Sequence, residues 1–148
     1  MRRLDPFTSP VSRRHVCLFA GALLVARRVA AASEAVVHPD RKWYDAAESM
    51  RRLAISWGDE PYGAVLVTSG GLAAEGPSRV VKNADPDAHA EREAIREAQR
   101  LLGTRDLGGS VLYSTSRPCR LCEQAAARAN VSRMYVGPQL VDAGAPRP

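Results

Sequence analysis

GSVLYSTSRPCRLCEQAAARANVSRMYVG, residues 109–137, is the stretch that decides the fold. Its first part is an apolar run with valine and tyrosine, which predicts a strand over residues 109–116. Proline at position 118 is typical of the first turn of a helix, and the alanine-rich segment behind it predicts a helix over residues 118–130. A second apolar run predicts a strand over residues 132–137. Two strands joined through a helix are expected to be parallel.

The residues upstream add two helices and a hairpin. Apolar residues recur at three- and four-residue steps over residues 42–57, which predicts a helix that ends at Gly58. Two apolar runs, residues 64–68 and 72–75, flank Ser69-Gly70-Gly71 and predict a β-hairpin. A loop follows, and then Asp85 as N-cap and Pro86 as first residue predict a helix that continues to Gly103. Residues 139–148 show no strong pattern and are interpreted as a tail.

The predicted order is α-β-β-α-β-α-β. The chain has 148 residues, a length that fits one domain with a single core. We expect an α/β fold of three layers, with a mixed sheet of four to five strands between helices on both faces. In this arrangement the segment around His89 and the segment with Cys119 and Cys122 both fall near the N-termini of helices.

Three side chains have the types and spacing of a zinc site. Cys119 and Cys122 are three positions apart, so both sulfurs can point at one place from one helical face. The helix dipole stabilises thiolate in the first turn, and thiolate is the form that binds zinc. His89, predicted one turn into the preceding helix, would be a third ligand. Three protein ligands leave the fourth position open, as a catalytic zinc requires.

Glu91 follows His89 by two residues and need not be a ligand. Zinc lowers the pKa of a bound water to roughly 7. A carboxylate beside such a water can accept its proton and return it to a leaving nitrogen. The four residues are therefore suited to hydrolytic attack on an amidine-like carbon with loss of ammonia.

Each motif has a simpler interpretation when it is taken alone. Cys119 and Cys122 would fit a disulfide or a redox pair in an exported protein. Glu91 would fit a solvated charge on the same helix as Glu93 and Glu97. Because a redox pair gives no reason for His89 next to Glu91, the joint pattern favours the metal site, and metal analysis would separate the two.

The chain resembles the zinc-dependent nucleobase and nucleoside deaminases of the cytidine deaminase superfamily. The joint signature is H-A-E at residues 89–91 with P-C-x-x-C at residues 118–122. PYGAVLV resembles P-F-G-A-V-x-V, NADPDAHAEREAIREA resembles N-D-P-T-A-H-A-E-x-x-A-I-R-x-A, and LYSTSRPCRLC resembles L-Y-T-S-x-E-P-C-P-M-C. This resemblance implies a zinc-dependent deaminase domain over residues 42–138. It implies Zn²⁺ held by His89, Cys119 and Cys122, with Glu91 as the catalytic proton carrier.

The resemblance also suggests where a substrate would bind, and where this chain departs from its relatives. The backbone of Gly63 and Ala64 would pack against the base. Ser78 stands where the family usually has a base-reading asparagine, and Arg117 stands where it has a glutamate. Arg120 replaces a small residue or a proline. Relatives continue beyond the fourth predicted strand, so the resemblance implies a fold truncated at its C-terminus.

The first 32 residues have the features of an export signal. Arg13-Arg14 precedes an apolar run of about 11 residues, which is too short to span a bilayer. Three alanines at positions 30–32 suit a cleavage site. We interpret residues 1–32 as a twin-arginine signal peptide and residues 33–41 as a linker. The mature chain would then have no membrane span and would be periplasmic or otherwise exported. Without a signal the protein would be cytoplasmic.

The formal net charge of +5 comes from the same N-terminal segment. Of the 21 basic and 16 acidic residues, six arginines and one aspartate lie in residues 1–32, so 15 of each charge remain. A body of near-zero charge is poor for RNA, where phosphate contacts dominate affinity. A guanine-deaminase-like enzyme acting on a small base or nucleoside is therefore favoured, and the resemblance implies a homodimer. The alternatives are a tRNA adenosine deaminase, a cytidine or dCMP deaminase, and a zinc-binding protein without turnover.

Overall fold

A computed structural model describes residues 39–148, so the predicted signal peptide and most of the predicted linker lie outside the described residues. The elements agree with the predicted order, with two additions. They are α1 Arg41–Ser56, β1 Gly63–Thr68, β2 Gly71–Pro77, α2 Val80–Asn83, α3 Ala90–Leu102, β3 Val111–Ser114, α4 Arg120–Arg128, β4 Arg133–Val136 and β5 Val141–Gly144.

The strands form one mixed sheet in the order β2-β1-β3-β4-β5. Strand β1 is antiparallel to both β2 and β3, whereas β3 and β4 are parallel and are joined through α4, as predicted. Strand β5 closes the other side of β4 in antiparallel orientation. Five strands of both orientations confirm the mixed sheet.

Helices cover both faces of the sheet. On one face α1 packs against residues such as Val65 and Tyr113. On the other face α3 and α4 pack against neighbours in the same strands, including Leu66 and Leu112. Because successive strand residues point to opposite faces, each central strand contributes to both cores. The three-layer α/β/α architecture is therefore confirmed.

The start of α3 differs from the prediction. Asp85 does not cap the helix; its carbonyl accepts from the Ala88 N–H at 3.0 Å, and its carboxylate accepts from the Asp87 N–H at 2.8 Å. Because the Asp85 carbonyl and carboxylate are bonded within this turn, α3 begins only at Ala90. His89 is therefore the N-cap residue and does not lie one turn into the helix. The predicted loop before it also contains the single-turn helix α2.

The C-terminal half shows two further differences. Helix α4 begins at Arg120, two residues later than predicted, because the Cys119 side chain accepts from the Cys122 N–H and occupies the N-cap position. The segment interpreted as a tail contains β5, which pairs with β4 and carries an ion pair of 2.6 Å between Asp142 and Arg133. Strand β5 forms through its main-chain pairing with β4, and the pattern of side chains in the sequence does not reveal such pairing.

Within residues 39–148, no helix has both the length and the apolar character that crossing a membrane would require.

Candidate metal centre

Three side chains predicted as ligands meet at one point between the starts of α3 and α4. His89 Nδ1 lies 3.8 Å from Cys119 Sγ and 3.5 Å from Cys122 Sγ. All three atoms lie within 4.8 Å of one another. A tetrahedral zinc with its usual bond lengths to sulfur and nitrogen separates such ligand atoms by about 3.6 Å. One histidine and two cysteines at these spacings therefore fit zinc.

The two helix starts hold these side chains in place through backbone hydrogen bonds. The His89 carbonyl accepts from the Glu93 N–H, and the Cys119 carbonyl accepts from the Glu123 N–H, each at 2.9 Å. The Cys119 sulfur accepts from the Cys122 N–H at 3.5 Å. Both ligand-bearing segments thus present the positive end of a helix dipole, which favours thiolate.

The two cysteines differ in their surroundings. Cys119 is exposed, whereas Cys122 is completely buried. Burial raises the pKa of the Cys122 thiol, and the nearby Glu91 carboxylate and Cys119 raise it further. A cation held between these groups offsets both the burial and the repulsion, as a metal site requires.

Glu91 lies in the first turn of α3, with its side chain turned into the protein. It is only 4% exposed, so the interpretation of Glu91 as a solvated charge is wrong. Its carboxylate oxygen Oε1 accepts a hydrogen bond of 2.8 Å from the Ser114 hydroxyl at the end of β3. The same carboxylate interacts with the Cys122 thiol, so a buried acid lies next to one of the three ligands.

The residues predicted to contact a substrate lie at the start of β1 and just after the end of β2. Ala64 lies opposite Ser114 in the pairing of β1 with β3. The Gly63 N–H donates to the Thr115 hydroxyl, and the Thr115 N–H donates to the Gly63 carbonyl. The Ser78 hydroxyl is buried and donates to Asp59 at 3.0 Å. A role for Gly63, Ala64 and Ser78 in substrate binding stays a prediction.

Three residues near the site have roles that sequence reasoning missed. Ser114 holds Glu91, and Asp59 holds the segment that leads from β2 to His89. At Gly76 a Cβ would overlap the backbone of Ala90 and Ala94, so this glycine lets α3 lie directly on β2. Their signal in the sequence is weak, because nothing in a serine, an aspartate or a glycine alone indicates a distant partner.

The arginines that depart from the family pattern lie at the surface. Arg117 and Arg120 are both exposed beside the cysteines.

The domain has three α/β/α layers and carries a histidine, two cysteines and a buried glutamate at two helix starts. These features define a zinc-binding domain of the deaminase class. The chain belongs to the family described as the cytidine and deoxycytidylate deaminase zinc-binding region, whose model matches residues 37–138.

Two relatives of similar sequence carry different names. A guanine deaminase of Bacillus subtilis strain 168 is 39% identical over 83 residues, which cover 56% of this chain and 53% of the relative. A tRNA-specific adenosine deaminase of Agrobacterium fabrum strain C58 is 41% identical over 85 residues, which cover 57% of this chain and 56% of the relative. The chain thus spans about half the length of these curated relatives.

Two similar solved structures carry the same two names. The structure of guanine deaminase from Bacillus subtilis matches with a TM-score of 0.64 and 32% identity, covering 68% of this chain and 64% of that one. A structure from a study of tRNA:A34 deaminases matches with a TM-score of 0.64 and 36% identity, covering 66% of this chain and 71% of that one.

Proposed function

We propose that this chain is a zinc-dependent hydrolase that deaminates a purine base or nucleoside, most like a guanine deaminase, and releases ammonia. His89, Cys119 and Cys122 hold the zinc, and Glu91 carries the proton. One observation carries the proposal: the buried carboxylate of Glu91 lies against Cys122, one of three side chains whose ligand atoms are within 4.8 Å of one another.

The protein side of the reaction depends on Glu91. Zinc, when bound, supplies a Lewis acid that makes water a better nucleophile at neutral pH. The Glu91 carboxylate would accept a proton from the attacking water as its oxygen bonds to the ring carbon, and would deliver that proton to the exocyclic nitrogen as the carbon–nitrogen bond breaks. The net change replaces the amino group by oxygen and releases ammonia.

The preference for a small substrate rests on charge and on the neighbouring backbone. Residues 33–148 carry equal numbers of basic and acidic side chains, which disfavours tight binding of a polyanion. The start of β1 at Gly63 and Ala64 lies beside Ser114, whose hydroxyl bonds Glu91, and its backbone would contact the base.

Deamination of adenosine in tRNA is the second candidate, and a surface groove favours it. A groove of about 380 Å³ between α3 and α4 is lined by four arginines, Arg92, Arg96, Arg105 and Arg128. The first two pair with carboxylates, whereas Arg105 and Arg128 have no ion-pair partner within the described residues. Steep loss of tRNA binding with rising salt would favour this candidate.

The test is Glu91→Ala, with Glu97→Ala as the matched control on the same helix. Glu97 pairs with Arg100 at the surface and is absent from the ligand cluster. The Glu91 variant should keep its zinc and lose about 10²–10⁴-fold in ammonia release from the best substrate of a panel of bases, nucleosides and nucleotides. The control should behave like the wild type. Full activity of Glu91→Ala would refute the mechanism, and no ammonia from any compound would favour a zinc-binding protein without turnover.

Two further expectations belong to the proposal. The chain forms a homodimer, which light scattering of the purified protein would test. Residues 1–32 direct export by the twin-arginine route, and sequencing of the mature N-terminus would test this; a mature chain that begins at Met1 would contradict it.

A further inference from the structure

Ser114 is a polar residue in an apolar position. It is the last residue of β3, it pairs with Ala64 of β1 and Val136 of β4, and it is completely buried. It lies on the same face of the strand as Leu112, the face that α3 and α4 cover. A buried hydroxyl costs free energy unless it is hydrogen-bonded, so its presence here calls for a specific partner.

The hydrogen bonds of Ser114 define the direction of its single hydrogen. The Ser116 N–H donates to Ser114 Oγ at 3.4 Å and thus occupies an acceptor site of that oxygen. A hydroxyl has one hydrogen to donate. Glu91 Oε1 lies 2.8 Å from the same oxygen, so the hydrogen points at the carboxylate.

We propose that Ser114 is a positioning residue for Glu91, which holds the carboxylate in the orientation needed for proton transfer. The proposal rests on the function proposed above. A glutamate side chain has three rotatable bonds, and a fixed donor to Oε1 removes much of that freedom. Proton transfer depends strongly on such geometry.

The first test compares three variants by steady-state ammonia release and zinc content. Ser114→Ala should lower kcat by about 10–100-fold, with KM and bound zinc unchanged, because an orienting partner is lost while ligands and pocket remain. Ser114→Thr keeps a hydroxyl and should recover most of kcat. Ser110→Ala is the control: Ser110 is also buried near this strand, but its hydroxyl has no hydrogen-bond partner within the described residues.

The outcomes separate a positioning role from a structural one. A Ser114→Ala variant with kcat within about twofold of the wild type would overturn the proposal. So would a loss of zinc in proportion to the loss of kcat, or a Ser114→Thr variant no better than Ser114→Ala, since each result indicates that the residue only supports packing.

A second measurement needs no activity. Urea unfolding of the metal-free protein would give the cost of Ser114→Ala in the wild type and in a Glu91→Ala background. The substitution should cost less in the second background, because no carboxylate remains there to lose its donor. Equal costs would overturn the Ser114 proposal alone. Absence of ammonia release by the wild-type chain would overturn the proposed function instead, so the two failures are distinguishable.

Discussion

At the scale of single residues, the buried carboxylate of Asp59 fixes the segment of the chain that leads from β2 to His89 at the metal centre. Its two oxygens accept from the Ser78 hydroxyl at 3.0 Å, from the Glu60 N–H at 2.8 Å and from the Lys82 N–H at 2.8 Å. These bonds join the end of α1 to the segment between β2 and His89. Burial alone would raise the pKa of Asp59, but the hydrogen bonds outweigh it, so the pKa is lowered.

The lowered pKa of Asp59 predicts a pH-dependent contribution to stability. Because the folded pKa lies below the unfolded value of about 3.9, the contribution is complete above that value and is lost as the pH falls through the folded pKa. In Asp59→Asn an NH2 group replaces one carboxylate oxygen, so either the Lys82 N–H or the Ser78 hydroxyl and the Glu60 N–H lose their acceptor. The free energy of unfolding at pH 7 should therefore fall by about 1–3 kcal/mol. The difference from the wild type should shrink towards pH 2 in urea titrations of zinc-free protein. A difference that stays constant from pH 7 to pH 2 would contradict this account.

The same scale shows why sequence reasoning found some site residues and missed others. His89, Cys119 and Cys122 were predicted because their types and spacing carry metal chemistry by themselves. Ser114 and Asp59 act through partners that lie 23 and 19 residues away in the chain. No spacing rule links such pairs, so only the folded chain identifies them.

At the scale of elements, the position of α3 depends on its close contact with β2. A Cβ at Gly76 would overlap the Ala90 carbonyl oxygen and the Ala94 nitrogen and would come within 2.8 Å of the Ala94 Cβ. These are mostly backbone atoms, which cannot turn aside as a side chain can. The helix that carries His89 and Glu91 therefore needs a glycine beneath it.

Gly76→Ala should displace the start of α3 and weaken the metal centre. We expect a loss of about 3 kcal/mol in the free energy of unfolding, at the upper end for overpacking, together with weaker zinc binding in a chelator competition. Gly70→Ala in the same hairpin is the matched control, because its Cβ would meet nothing closer than the Thr68 hydroxyl at 3.6 Å. If the two variants bind zinc equally well, Gly76 does not position α3.

Element boundaries also mark the limit of prediction from side-chain pattern. Helix α3 was expected to start near Asp85, but a local turn there moved the start to Ala90 and placed His89 at the N-cap. Strand β5 was missed because its segment is mostly exposed or half-buried and lacks a clear alternation. Both errors arise where backbone hydrogen bonds decide the structure.

At the scale of the whole molecule, the metal centre brings together the starts of α3 and α4, two segments that are not part of the sheet. The histidine and the cysteines are 30 and 33 residues apart, and they come from two helices on one face of the sheet. The fold class and the layers followed from the order of strands and helices. Bound zinc adds a direct link between the starts of α3 and α4, so metal binding and folding should be coupled.

Zinc should therefore raise the stability of the whole domain. A ligand that binds only the folded state at about a thousand times its Kd stabilises by about 4 kcal/mol. The Tm of chelator-treated wild type should rise on addition of zinc, and both thiols should become protected from a thiol reagent. Cys122→Ala, which removes a buried ligand, should show no such rise, and Ser110→Ala should respond like the wild type. A Tm that is unchanged by zinc, together with ready closure of Cys119 and Cys122 into a disulfide, would favour redox chemistry for the pair, because a redox pair needs both sulfurs and no metal.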